Sequence, residues 1–91
     1  MEFEWDENKN ESNKEKHGIS FDEAKLAFTD NEMLTKKDSC KDYGEKRFIG
    51  IGKMQEKIIV VVYTIRKTVI RIISARKASE KEINIYHERK N

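Results

Sequence analysis

The sequence predicts an α+β fold: an antiparallel β-sheet packed by two N-terminal helices and a short C-terminal helix. Three observations predict it. Ser20-Phe21-Asp22-Glu23 and Ser79-Glu80-Lys81-Glu82 both have the spacing of a helix-starting capping box, and they stand far apart in the chain. Aromatic and β-branched residues concentrate in the C-terminal half, in alternating or fully apolar runs. Those runs are separated by short turns, which favours antiparallel pairing with the helices segregated from the strands. At 91 residues the chain makes a single domain, 1–91, with one modest core.

The elements follow in order. Phe3-Glu4-Trp5 alternates apolar and polar side chains and reads as a short strand. Asp6 can cap a helix that runs to about Lys16, and Gly18 is suited to stop it. This helix has almost no apolar face, so its attachment falls to the flanking Trp5 and Ile19. Ser20 opens a second helix with Phe21, Ala24, Leu26, Ala27 and Phe28 as its apolar stripe. Met33-Leu34-Thr35 reads as a short strand, and Lys36 to Gly44 as a polar loop.

Three strands come next. Lys46 to Lys53 places Arg47, Ile49 and Ile51 on one face and Phe48, Gly50 and Gly52 on the other. Ile58 to Ile65 is apolar on both faces, the mark of a central strand. The turn at Arg66-Lys67 lacks the Gly, Asn or Asp that tight hairpins favour. The last strand begins at Val69. Strict alternation puts Ile70, Ile72, Ser74 and Arg76 on one face and Val69, Arg71, Ile73 and Ala75 on the other, so Arg71 and Arg76 point in opposite directions. A C-terminal helix with Ile83 and Tyr86 on one side completes the chain. Three short helices cover one sheet face well. The other face is left as a binding surface or partner interface.

Composition narrows the function. No apolar run is long enough to cross a membrane, and the acidic, polar N-terminus is not a signal peptide, so a cytoplasmic protein is expected. The one cysteine, Cys40, excludes an internal disulfide and fits a reducing compartment; its polar surroundings make it an incidental surface thiol. Residues 1–30 hold nine acidic and four basic side chains, net −5, while residues 31–91 hold eight and fifteen, net +7. The basic excess falls on the sheet. That suits an anionic ligand such as phosphate or nucleic acid, and equally an acidic helical layer neutralising a basic sheet.

No metal or cofactor is expected. His17 and His87, the only histidines, belong to no cluster with ligand spacing. Gly50-Ile51-Gly52 lacks a third glycine and a Walker lysine, and reads as a place of close backbone approach. Lys16-His17-Gly18 ends the first helix. There a histidine that titrates near neutrality suits acid–base work, and equally a helix-terminal cation. Arg47, Arg66, Arg71 and Arg76 lie on or beside successive strands, which run about 5 Å apart. Converged arginines hold phosphate bidentately and stabilise charge building on phosphorus. The structural reading of the same set is ion pairing with Glu45, Glu82 and the acidic helices.

The N-terminal box Phe3-Glu4-Trp5-Asp6, followed by Lys9, Asn13, Lys16-His17-Gly18-Ile19, Phe21 and Glu23-Ala24, resembles the signature of BrnT-type toxins. So do Arg47-Phe48, the strand Val60-Val61-Val62-Tyr63-Thr64 with Arg66, the closing box Arg71-Ile72-Ile73-Ser74-Ala75-Arg76-Lys77-Ala78, and Glu82 with Tyr86. The resemblance covers nearly the whole chain. It implies a RelE-like fold and a metal-independent endoribonuclease that inhibits translation. It implies neutralisation by a BrnA-like ribbon-helix-helix antitoxin, in a complex of heterotetrameric size or larger that reaches operator DNA only through the antitoxin. Cleavage of this kind uses the RNA 2′-OH as nucleophile. It needs a base, a stabiliser of the phosphorane and an acid. Arg47, Arg71 and Arg76 are candidates to hold the phosphate, and His17, Lys16 or Lys9 to exchange protons. Arg66 extends the cationic set, and Trp5 or Tyr63 can stack a base. The alternative is a non-catalytic module that docks a regulatory partner.

Overall fold

Each helix begins where a side chain offers an oxygen to the first free backbone N–H groups. The computed structural model describes residues 1–38 and 44–90. Asp6 accepts from the N–H groups of Asn8 and Lys9 to start α1 (Glu7–His17), and Gly18 ends it at φ 72°, a conformation natural to glycine. Ser20 and Glu23 close a full capping box at α2 (Phe21–Ala24). Ser79 and Glu82 exchange the same two bonds, at 2.8 and 3.2 Å, before α3 (Glu80–Lys90).

The second helix departs from its expected period. After Ala24 it tightens into a 3₁₀ segment, Lys25–Thr29. With three residues per turn, Phe21, Ala24 and Ala27 fall on one line and are fully buried, while Leu26, expected in the stripe, is 40% exposed. Phe28 reaches the core as part of an aromatic row, edge-on to both Phe3 and Tyr63.

Five strands form one sheet: β1 (Glu2–Glu4), β2 (Leu34–Asp38), β3 (Arg47–Met54), β4 (Lys57–Arg66) and β5 (Val69–Lys77), in the order β1-β5-β4-β3-β2. The sheet is mixed rather than antiparallel. β2 to β5 pair antiparallel, as short connections require, but β1 runs parallel to β5 with Glu2 opposite Val69 and Glu4 opposite Arg71. The hairpin rule governs only neighbours in sequence, and the N-terminal strand joins the sheet from the far end of the chain.

Strand β2 also runs further than expected. Lys36, Lys37 and Asp38, assigned to a loop, pair with Ile49, Phe48 and Arg47. An edge strand carries charged side chains without conflict because one side of it meets solvent. Cys40 and the middle of the expected loop lie outside the described residues. The β4–β5 turn works without glycine because Lys67 itself takes φ 58°.

The core lies between the sheet and the layer of α1, α2 and the 3₁₀ segment. β4 supplies Ile59, Val61 and Tyr63, and β5 supplies Ile70, Ile72 and Ala75. Gly52 has the role read from its sequence. A Cβ there would stand 3.0 Å from the Ala27 carbonyl oxygen, so only glycine lets the 3₁₀ segment approach. Polar α1 packs through its ends, Trp5 lying edge-on to Phe21 and Ile19 buried, and in its middle through two buried asparagines. Asn10 Oδ1 accepts from the Phe21 N–H at 2.8 Å. Asn13 Nδ2 donates to the carbonyls of Ile19 and Ala75, and its Oδ1 accepts from the Ala75 N–H.

Candidate active site

One irregularity in the sheet decides where the arginines point. Val62 pairs with Ser74, but the next residue, Tyr63, pairs with Ile72, so Ile73 is an extra residue in β5. Such a bulge shifts the phase of alternation along the strand. Directly paired residues share a face. Arg71 pairs with Thr64, Ser74 with Val62, and Arg76 with Val60, three alternate positions of β4. Arg71 and Arg76 therefore lie on the same face, not on opposite ones. Strict alternation missed this because it assumed a regular ladder.

That face is the one turned away from α1 and α2. It continues through β3, where Ile49 pairs with Val62 and Ile51 with Val60, and Arg47 lies on the same side, paired to Asp38. α3 covers one end of it. There Ile85 and Arg89 meet Leu34, Ile49 and Ile51 around a cleft of about 330 Å³. The rest is open. One row crosses all five strands, with Glu4, Arg71, Thr64, Arg47 and Asp38 side by side, spanning roughly 20 Å at the usual strand spacing.

The arginines differ in how firmly they are held. Arg76 gives both terminal nitrogens to the two oxygens of Glu82, at 2.8 and 2.9 Å, and its Nη1 also reaches the Lys77 carbonyl. The guanidinium pulls the Glu82 carboxyl down to about 2, and the Glu82 bond raises Arg76 in turn. Arg76 thereby ties α3 to the sheet. Arg71 gives a single Nη1 bond, 2.9 Å, to Glu4, and its side chain is 29% exposed. Arg47 has its Nε 4.0 Å from Glu45, which also takes Arg66 Nη2 at 3.1 Å. The partners read from the sequence, Glu45 and Glu82, are present. Glu4 is a third, and its signal was the acidic residue alternating with Phe3 and Trp5. Thr64 is buried, donating its hydroxyl to the Lys46 carbonyl at 2.6 Å.

The Arg76–Glu82 pair gives a pH dependence with a definite sign. The folded carboxyl sits below its ordinary 4.5, so its contribution is present above pH 4.5 and is lost as pH falls toward about 2. Thermal melts across this window are expected to drop more steeply for the wild type than for Glu82→Gln. Parallel curves would show that the pair contributes nothing.

The other candidates lie elsewhere. Tyr63 is buried on the core side, stacked on Phe48 at 5.5 Å, and burial raises its hydroxyl above the ordinary value. Trp5 also faces the helix layer, with Lys25 over its ring. Lys9, Lys16 and His17 belong to α1, the first two exposed and His17 half-buried. Among the described residues, no group of His, Cys, Asp and Glu is placed to hold a metal ion. No helix among the described residues is long and apolar enough to cross a membrane.

Fold and face together define a class, a small α+β domain whose second sheet face carries arginines paired with carboxylates. Residues 5–82 match the family model described as the ribonuclease toxin BrnT of type II toxin–antitoxin systems. The chain belongs to that family, so it is a ribonuclease toxin whose partners are RNA and an antitoxin. No curated protein matches it.

Proposed function

We propose that the chain is a metal-independent endoribonuclease of RelE-like fold that works in the cytoplasm and stops translation by cutting RNA on the open sheet face. The observation that carries this reading is that Arg47, Arg71 and Arg76 share the sheet face turned away from α1 and α2. The RNA 2′-oxygen attacks the adjacent phosphorus and the bond to the 5′-oxygen breaks, leaving a 2′,3′-cyclic phosphate and a 5′-hydroxyl. Arg71, held by one bond, exchanges Glu4 for the phosphate and stabilises the phosphorane. Arg47 supports it from β3, and Arg66 steers the anion toward the face.

The proton carriers are assigned to α1. Lys9 and His17 stand one helical turn either side of Asn13, on its side of the helix, and Lys16 stands beside His17. Asn13 grips Ala75, the neighbour of Arg76, which sets the middle of α1 beside the edge of β5 past Arg71. A BrnA-like ribbon-helix-helix antitoxin covers the same face in a heterotetramer or larger complex, and only through that partner does the toxin reach operator DNA. The internal pairing of the arginines with Glu4, Glu45 and Glu82 favours one second reading, a docking module without catalysis.

One experiment separates them. Purified protein freed of antitoxin should cut single-stranded RNA in EDTA and leave cyclic-phosphate ends. Folded protein that leaves the RNA intact at equimolar concentration would reject catalysis. Cleavage that needs added Mg²⁺ would reject metal independence.

A further inference from the structure

We infer that the cleft between α3 and strands β2 and β3 is a nucleotide subsite. It seats the base next to the phosphate that the arginines hold, while Lys36 and Arg89 take the phosphate beyond. This rests on the proposal that RNA is the ligand of the arginine face. Trp5 and Tyr63, the aromatic candidates for stacking a base, face the helix layer, so a base beside the arginines must rest on other side chains. The next row of the same face supplies them. Two residues along the strands from Arg47, Ile49 lies opposite Val62, and Lys36 lies opposite Ile49 on β2. That step is about 7 Å, close to the length of one nucleotide.

The floor of the cleft is Leu34, Ile49 and Ile51, each half-buried, and one wall is Ile85, still 37% exposed. Ile85 and Arg89 stand one helical turn apart on the same side of α3. Two anchors fix that wall: Glu82 takes Arg76 bidentately, and the Tyr86 hydroxyl donates to Asp30 Oδ2 at 2.6 Å. The charge suits an RNA strand. Lys36 and Arg89 enter from different walls, and none of the described residues lining the cleft is acidic. Unlike Arg47, Arg71 and Arg76, neither forms an ion pair among the described residues. The cleft's volume of about 330 Å³ is at the small end of ligand sites, which run from about 300 to 1,000 Å³. A protein partner engages about 20–30 residues a side, whereas seven line this cleft. Guanidinium planes stack on unpaired bases, so Arg89 can close over a base laid on Ile49 and Ile51. Such a grip reads the flat face of the base and accepts any sequence.

The test uses the full chain freed of antitoxin and a single-stranded RNA with one cut site. An abasic nucleotide is placed in turn at each position flanking the cut. At one position next to it, loss of the base should lower the wild-type kcat/KM by about 10-fold. Arg89→Ala and Ile85→Ser, melting near the wild type, should show the same loss with intact RNA and little further loss with the abasic one. If Ile85→Ser melts early, Arg89→Ala alone decides. The same RNAs with a deoxynucleotide at the cut, which removes the attacking 2′-OH, report binding by fluorescence anisotropy. RNA that is cut with no position where the base matters, or with abasic and Arg89→Ala losses that fully add, overturns the inference. So does Arg89→Ala that cuts as the wild type but escapes the antitoxin, which gives the cleft to that partner. If the wild type cuts nothing but binding falls about 10-fold with the abasic nucleotide and in Arg89→Ala, the ribonuclease reading fails and the subsite stands. RNA neither cut nor bound overturns both.

Discussion

Arg71→Ala is expected to lower RNA cleavage by about 10²–10³-fold, the usual effect of removing one group that stabilises developing negative charge. Its melting temperature should fall by less than about 8 °C. The Arg71–Glu4 pair is single-bonded and partly exposed on both sides, and such pairs contribute about 0–1 kcal/mol. Activity and stability therefore separate at this residue. Arg71→Lys should fall between, since an ammonium keeps the charge but loses the planar fork that matches a phosphate. Arg76→Ala should behave differently, because it removes the bidentate link to Glu82 and loosens α3 along with any effect on cleavage. Unchanged cleavage in Arg71→Ala, measured with melting curves on the same sample, would remove Arg71 from the mechanism. A collapse of the fold would make it structural.

Phe21→Ala should do the reverse, costing about 3–5 kcal/mol as a buried aromatic lost from a packed core. Against the 5–15 kcal/mol typical of a folded domain, that leaves little margin. The melting temperature should drop by more than about 12 °C. Phe21 is fully buried, its ring meets Trp5 at 6.1 Å, and its N–H is held by Asn10, so it joins α1, α2 and the core at one point. Below its lowered melting point the variant should still cut RNA, because Phe21 lies in the core on the opposite side of the sheet from the arginines. A loss of less than about 4 °C in scanning calorimetry would show that the site collapses around the smaller side chain.

Most of the architecture is legible in the chain because it rests on local chemistry. Asp6, Ser20 and Ser79 start helices with their own side chains, Gly18 stops one, and the apolar run from Ile58 marks the central strand. What escapes is set by distant partners. The parallel pairing of β1 depends on β5, 67 positions later between Glu4 and Arg71. The attachment of α1 is invisible to hydrophobic periodicity because amides make it. The bulge at Ile73 carries no glycine, so nothing in Arg71-Ile72-Ile73-Ser74 breaks the alternation on paper. The candidate arginines are readable as residue types, and two of their carboxylate partners by proximity to the strands. Their common direction is not, since one unpaired residue reverses it.

The amide of Asn13 also has a consequence for self-association. A bare strand edge is a template on which a second chain can add, and proteins guard such edges. β2, at one end of the sheet, does so with exposed Lys36 and Lys37. β5 beyond Arg71 is guarded at Ala75 by the carboxamide of Asn13, on the hydrophilic helix α1. Peeling α1 away would bare little oil but would free a β-rich edge containing Ile72 and Ile73. The solubility of the folded chain thus depends on α1 staying seated along β5.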